Sequence, residues 1–401
     1  MGAKRVGIIK IDDLKYKMLA FLLARIMIQQ VVLLSAQIFH IYSVKWYSIF
    51  CHMVLGIILL YIGFVLIGFP TRKDVFMICS IWTLLFGASV IKYRNELQGY
   101  ISELGSLVLL SFLSIVIALN KIEDIGKLEK ELRPYVFIMG FFSLLNVCLN
   151  MRGGGYSMSF SYEAILFALF SLIFAVVYGK KYYYFFFLLY CVSNLRAGSR
   201  GSFLCIFVAF MLIILVYGKK TNVKIGVLLG GGCGCVVLIF GNQIIDFLSM
   251  LIGHSRTLVL LKSGEIFSMS GRENFYNLMR KALFENLFLI KGFYADRVYL
   301  CNSFGKPFSP GTYAHNIIYE IVYDFGGVGI VFLLFLFYYT FKCYKIVKIS
   351  GDNAVKNLYI VSVSYAFGQL FISSSFLIAP SFGILIATYL FICHYKRVTF
   401  E

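Results

Sequence analysis

A chain of 401 residues that is 60% hydrophobic, 18% aromatic and only 14% charged, with mean hydropathy +0.84, carries more apolar surface than a soluble domain can bury. Ordinary globular chains are about a quarter charged. The formal charge of +18 does not point to nucleic acid, because it is spread over short loops between apolar runs and that distribution explains it.

Apolar runs near 20 residues cross a hydrocarbon core of about 30 Å. About twelve of them follow one another, near 18–39, 48–69, 75–91, 102–119, 133–150, 160–178, 182–195, 200–217, 223–241, 316–341, 356–376 and 378–394. The predicted fold class is all-α, a polytopic integral membrane protein. Met1 to Lys17 is basic but mixed with Asp12 and Asp13, and the apolar run after it is too long for a cleaved signal, so it leads into a first membrane helix. The organisation expected is membrane helices over 1–241, a polar subdomain over 242–314 containing short helices, and three more membrane helices over 315–401.

With the N-terminus inside and the spans alternating, the inner loops hold clusters such as Lys4, Arg5, Lys10, Lys15 and Lys17, then Lys121, Lys127, Lys130 and Arg133, then Lys342, Lys345 and Lys348. The short outer loops hold only Lys45, Lys92, Arg94, Arg152, Arg196 and Arg200. That bias is the positive-inside pattern. It predicts both termini in the cytoplasm and the long loop outside.

The ten cysteines show no metal-ligand spacing, and all but Cys301 lie in or beside apolar runs. No convincing repeat relates the two halves, which weighs against the architecture of many transporters.

Three constellations concentrate the polar chemistry. Arg196-Ala197-Gly198-Ser199-Arg200-Gly201 sets two arginines among small residues at the outer end of one run. Guanidinium forks bind phosphate oxygens in pairs, and the glycines permit close approach of a ligand. Within the loop, Glu273 to Phe284 has amphipathic periodicity through Phe275, Leu278, Met279 and Leu283, so a helix is expected there with Arg272 at its start and Arg280 along it. Last, His315-Asn316-Ile317-Ile318-Tyr319-Glu320 opens the apolar run 316–341. The i, i+4 rule sets His315 with Tyr319, and Asn316 with Glu320 and Asp324. Pro307 and Pro310 stiffen the approach to it. Carboxylates a turn or two into a membrane helix are costly unless used or paired; they are suited to orienting an arginine or raising a histidine's basicity.

An Arg-Gly motif opening one helix, a long loop, then His-Asn-x-x-x-Glu and a Gly-rich continuation opening the next resembles the O-antigen polymerase and O-antigen ligase superfamily. The motifs cover about 195–341; before that the likeness is one of topology. The resemblance implies a GT-C-like glycosyltransferase of the bacterial inner membrane with its active site facing the periplasm. It implies that Arg200 and Arg272 engage an undecaprenyl diphosphate and that His315 assists the acceptor hydroxyl. From their places in the same constellations, Arg196, Arg280, Asn316, Tyr319 and Glu320 are expected to line the substrate. It implies no metal and no other cofactor, and it suggests a chain-length regulator and a flippase of the same pathway as partners beside membrane lipid. The expected reaction is transfer of a growing glycan to the non-reducing end of a lipid-linked repeat unit, with inversion. The rival within the superfamily is the ligase that moves finished polymer to lipid A-core. From another class, a flippase of lipid-linked oligosaccharides predicts charges spread through the membrane interior; here only Arg25, Glu163, Glu320 and Asp324 are so placed.

Overall fold

Long apolar runs with few breakers fold as helices, because each backbone group then finds its partner within the segment. The computed structural model describes residues 11–24, 72–148, 158–199, 201–218, 220, 223–224, 243–250, 255–263, 272–285 and 287–400, and its regular elements among these are all helical. They are α1 Ile11–Leu23, α2 Lys73–Lys92, α3 Ile101–Asn120, α4 Ile125–Cys148, α5 Met158–Val176, α6 Tyr182–Arg196, α7 Gly201–Tyr217, α8 Arg256–Lys262, α9 Glu273–Glu285, α10 Ala295–Ser303, α11 Ile317–Ile349, α12 Asn353–Leu370 and α13 Pro380–Phe400. A single turn, Arg94–Leu97, follows α2. Three helices, α2, α3 and α11, are long and apolar enough to cross a membrane, and shorter apolar stretches run through α5, α7 and α13. The expected span at 48–69, and most of those at 18–39 and 223–241, lie outside the described residues, as does Arg200.

Several expected boundaries move, each for a local reason. The run 316–341 continues to Ile349 and is kinked at Gly326, whose φ of 58° no other residue type adopts as cheaply. The run 356–376 stops early, at Leu370, and helix resumes at Pro380. Between them stand Ser373, Ser374 and Ser375, whose hydroxyls compete for backbone groups, and Pro380 suits the first position of a helix. Helix α3 contains a π turn over Leu109–Leu113, and α13 packs on it through Gly383, where a side chain would strike the Ser111 carbonyl.

At the centre runs α12. It packs against α4, α5, α7, α11 and α13, and almost all of its residues are buried. This explains its polar content. Asn357, Ser362, Ser364 and Gln369 face protein, and Asn357 Nδ2 donates to Glu129 Oε2 at 2.9 Å. The polar stretch expected over 242–314 holds α8, α9 and α10; α9 and α10 dock on α11, and α8 on α6. Trp82 ties this region to the bundle, stacking on Phe112 at 4.0 Å and touching Phe293, Phe376 and Phe382.

Candidate functional site

The break between α12 and α13 organises the polar chemistry. A helix end leaves carbonyls without intrahelical partners, and its negative dipole favours a cation. Arg272, half-buried before the first turn of α9, meets that need: Nη1 donates to the Ile372 carbonyl and Nη2 to Ser373 Oγ at 3.0 Å. The Ser373 carbonyl receives Tyr313 OH at 3.0 Å and faces His315 Nδ1 at 3.3 Å. Asn316 Nδ2 donates to the Phe371 carbonyl at 2.9 Å, while its Oδ1 accepts from Ile318 N at 2.9 Å and caps α11.

His315 therefore precedes the helix rather than lying on its face. Its φ is 55°, a left-handed conformation uncommon outside glycine, so the expected i, i+4 pairing with Tyr319 does not form. Its ring lies 4.1 Å from that of Tyr313 and 5.8 Å from that of Phe275. Because a carbonyl can only accept, the bond to Ser373 makes Nδ1 the protonated nitrogen and leaves Nε2 as the acceptor. Burial, repulsion from Arg272 and a weaker contribution from Arg297 push the imidazole down to about 4, against the opposing Ser373 carbonyl. The carboxylates deeper in α11 do not raise its basicity.

Those carboxylates serve an arginine that the sequence reading missed. Arg297, on α10, is completely buried. Its Nη1 donates to Asp296 Oδ1 and to Glu320 Oε1, both at 3.0 Å, Nη2 to Ser375 Oγ at 2.6 Å, and Nε to the Pro310 carbonyl at 3.2 Å. Ser375 Oγ also donates to Glu320 Oε1, and Phe376 N to Glu320 Oε2 at 3.2 Å. Both oxygens of Glu320 are thus engaged by protein and the group is fully buried, so it is placed to hold Arg297 rather than to line the substrate. Asp296 Oδ2 accepts from Ala314 N at 3.0 Å, directly before His315. Burial pushes the Asp296 carboxyl up, and Arg297 draws it back. Burial works against the charge of Arg297 as well, but Asp296 and Glu320 more than offset it and hold the guanidinium above its ordinary range. Asp324 Oδ1 accepts from Asp296 N at 3.0 Å; its buried Oδ2 has no hydrogen-bond partner among the described residues.

The remaining expected residues fall in different places. Tyr319 stacks on Tyr276 of α9 with ring centres 5.3 Å apart, clamping α9 to α11. Arg280 is exposed on α9 and donates to Asn277 one turn back. Arg196 is half-buried in the last turn of α6, against which α8 packs. The structure brings Arg272, His315 and Asn316 onto one backbone segment, Phe371–Ser373. The signals for the missed residues were an adjacent Asp296-Arg297 pair and a run of three serines dividing two apolar stretches.

No protein-family model, no curated protein and no solved structure matches this chain.

Chemically, the cluster offers a half-buried guanidinium, a neutral imidazole with Nε2 as acceptor, and a rigid support beneath both. That combination suits an anion that departs and an alcohol that arrives.

Proposed function

We propose that this protein is a membrane glycosyltransferase, an O-antigen or related polysaccharide polymerase. It moves a glycan from undecaprenyl diphosphate to the non-reducing end of a lipid-linked repeat unit at the outer face of the bacterial inner membrane. The observation that carries the reading is the meeting of Arg272 and His315, far apart in the chain, on the single residue Ser373.

In the proposed reaction the acceptor hydroxyl oxygen bonds to the anomeric carbon as the bond from that carbon to the diphosphate breaks. Charge grows on the diphosphate, and fixed guanidinium groups stabilise it, which is usually the largest single catalytic contribution. Arg272 supplies one such group and Arg200 a second. The hydroxyl proton passes to His315 Nε2 and then to solvent. An imidazole of low proton affinity orients the alcohol as much as it deprotonates it, and general-base help of this kind is worth about 10²–10⁴-fold. An incoming anionic diphosphate raises that affinity by favouring the charged ring. Single displacement inverts the anomeric centre.

The test uses purified protein with lipid-linked repeat units in detergent. Arg272→Ala, Arg200→Ala and His315→Ala are expected to abolish polymer while membrane levels stay normal. Arg200→Lys is expected to fail as well, since a point charge lacks the fork. Polymer of wild-type length from the alanine variants overturns the assignment.

A further inference from the structure

The strand of chain between α9 and α10 carries an apolar surface that glycosyl transfer does not use. Phe288 is 87% exposed, and Leu289 and Ile290 are each 55% exposed. On a soluble surface such a cluster is a liability. Here its position is fixed against membrane helices. A Cβ added at Gly327 would stand 3.6 Å from Phe288 Cδ1, and one at Gly326 would stand 2.7 Å from the Leu287 carbonyl oxygen and 3.0 Å from that of Leu289.

The depth of this contact follows from two helices independently. Sixteen residues separate Gly326 from Lys342 on α11, and sixteen separate Ser89 from Lys73 on α2. At 1.5 Å per residue both points lie about 24 Å along the helix from a lysine. Counted from those lysines, both fall toward the far edge of a hydrocarbon core of about 30 Å, and Ser89 stands one turn from Lys92 at the other end of α2. The segment is bonded at both points: Gly292 N donates to the Asp324 carbonyl at 2.8 Å, and Phe293 N to Ser89 Oγ at 2.8 Å.

Irregular backbone inside the hydrocarbon needs its polar groups satisfied by protein, whereas at the interface water serves. The bonds that hold this segment lie at Lys291, the residue after the apolar cluster. Its N–H donates to the Asp324 carbonyl at 2.8 Å, and its carbonyl accepts from Lys92 Nζ at 2.8 Å and Tyr93 OH at 3.0 Å. Lysine and tyrosine are the residue types that settle at a bilayer interface. Exposed apolar side chains also stand on the two helices, Val328 and Val331 on α11 and Leu84 and Ile91 on α2.

We propose that Leu287–Ile290 is an interfacial wedge, with Phe288, Leu289 and Ile290 reaching the acyl chains at the edge of the bilayer core. The inference needs only the membrane-crossing character of α2 and α11 and is independent of the reaction proposed above. The test replaces Phe288, and separately Leu289, with p-benzoylphenylalanine in full-length protein held in nanodiscs of phosphatidylcholine alone. The same photoprobe at the exposed Lys306 is the control. After illumination, mass spectrometry is expected to find phospholipid adducts at 288 and 289 and their loss at 306. Because these discs contain no isoprenoid, such an adduct identifies the acyl chain of the bilayer. Absence of lipid adducts at both wedge positions, equal adducts at 306, or crosslinks to a second copy of the chain instead of lipid would overturn the proposal.

Discussion

His315 holds a left-handed backbone conformation that costs about 1–2 kcal/mol for a residue with a Cβ. Two neighbours hold it there: Ala314 N is bonded to Asp296, and Asn316 is bonded to Phe371 and to its own helix. Its ring is pushed down from 6.5 to about 4 by burial first and Arg272 second. A depressed histidine contributes stability that is complete above the unfolded value near 6.5 and is lost as pH falls from there toward 4. Ring ¹⁵N shifts of labelled protein are therefore expected to show a neutral imidazole at pH 5, and added polyprenyl diphosphate to move its titration upward. A ring that titrates at its ordinary value without ligand contradicts this arrangement. Arg297 belongs to the same scale. Removing one partner of a buried pair strands the other charges, at a cost of about 3–5 kcal/mol. Arg297→Met is expected to lower the unfolding temperature in detergent sharply, with Arg297→Lys intermediate because it keeps the charge without the fork. An unchanged melting curve for the methionine variant means the network is incidental.

At the scale of elements, the breaks matter more than the helices. The kink at Gly326 lets the Asp324 carbonyl accept from two loop N–H groups, and the absent side chain lets the Leu287–Leu289 backbone lie against α11. Gly326→Ala meets both a positive φ and a carbonyl at 2.7 Å, so it is expected to cost more than about 1 kcal/mol and to loosen the 287–292 segment. Hydrogen exchange at Lys291 and Gly292 reads this directly; protection equal to wild type would show that the fit is slacker than the geometry indicates. The helices themselves were legible in the sequence, since apolar length and amphipathic spacing act locally; α9 was expected over 273–284 and runs over Glu273–Glu285. The breaks were only half legible. Glycine and serine announce a departure from helix without saying which group comes to fill it. Beyond the adjacent Asp296, the partners of Arg297 were illegible for the same reason: they lie on α11 and in the serine break, and no local periodicity links an arginine to a glutamate on the next helix.

For the molecule as a whole, the all-helical bundle follows from composition, while of about twelve expected spans three described helices are long and apolar enough to cross a membrane. The side to which each end faces rests on the distribution of basic residues. Both termini fused to a fluorescent protein that folds only in the cytoplasm are expected to glow, and alkaline phosphatase inserted at Lys306 to be active. The reverse pattern would move the His315 cluster to the wrong compartment for a lipid-linked donor exported across the membrane. One arrangement also bears on how the chain is made. Two of the carboxyl groups around Arg297 belong to α11 and the other belongs to α10, which precedes it in the chain. When α11 leaves the translocon, Glu320 and Asp324 have no counter-ion until α10 folds back onto them, and Ser375 has yet to be synthesised. Pairing of these carboxyl groups thus depends on α10 being shaped to receive the next helix, and a lesion in α10 is expected to surface as a defect in membrane integration of α11.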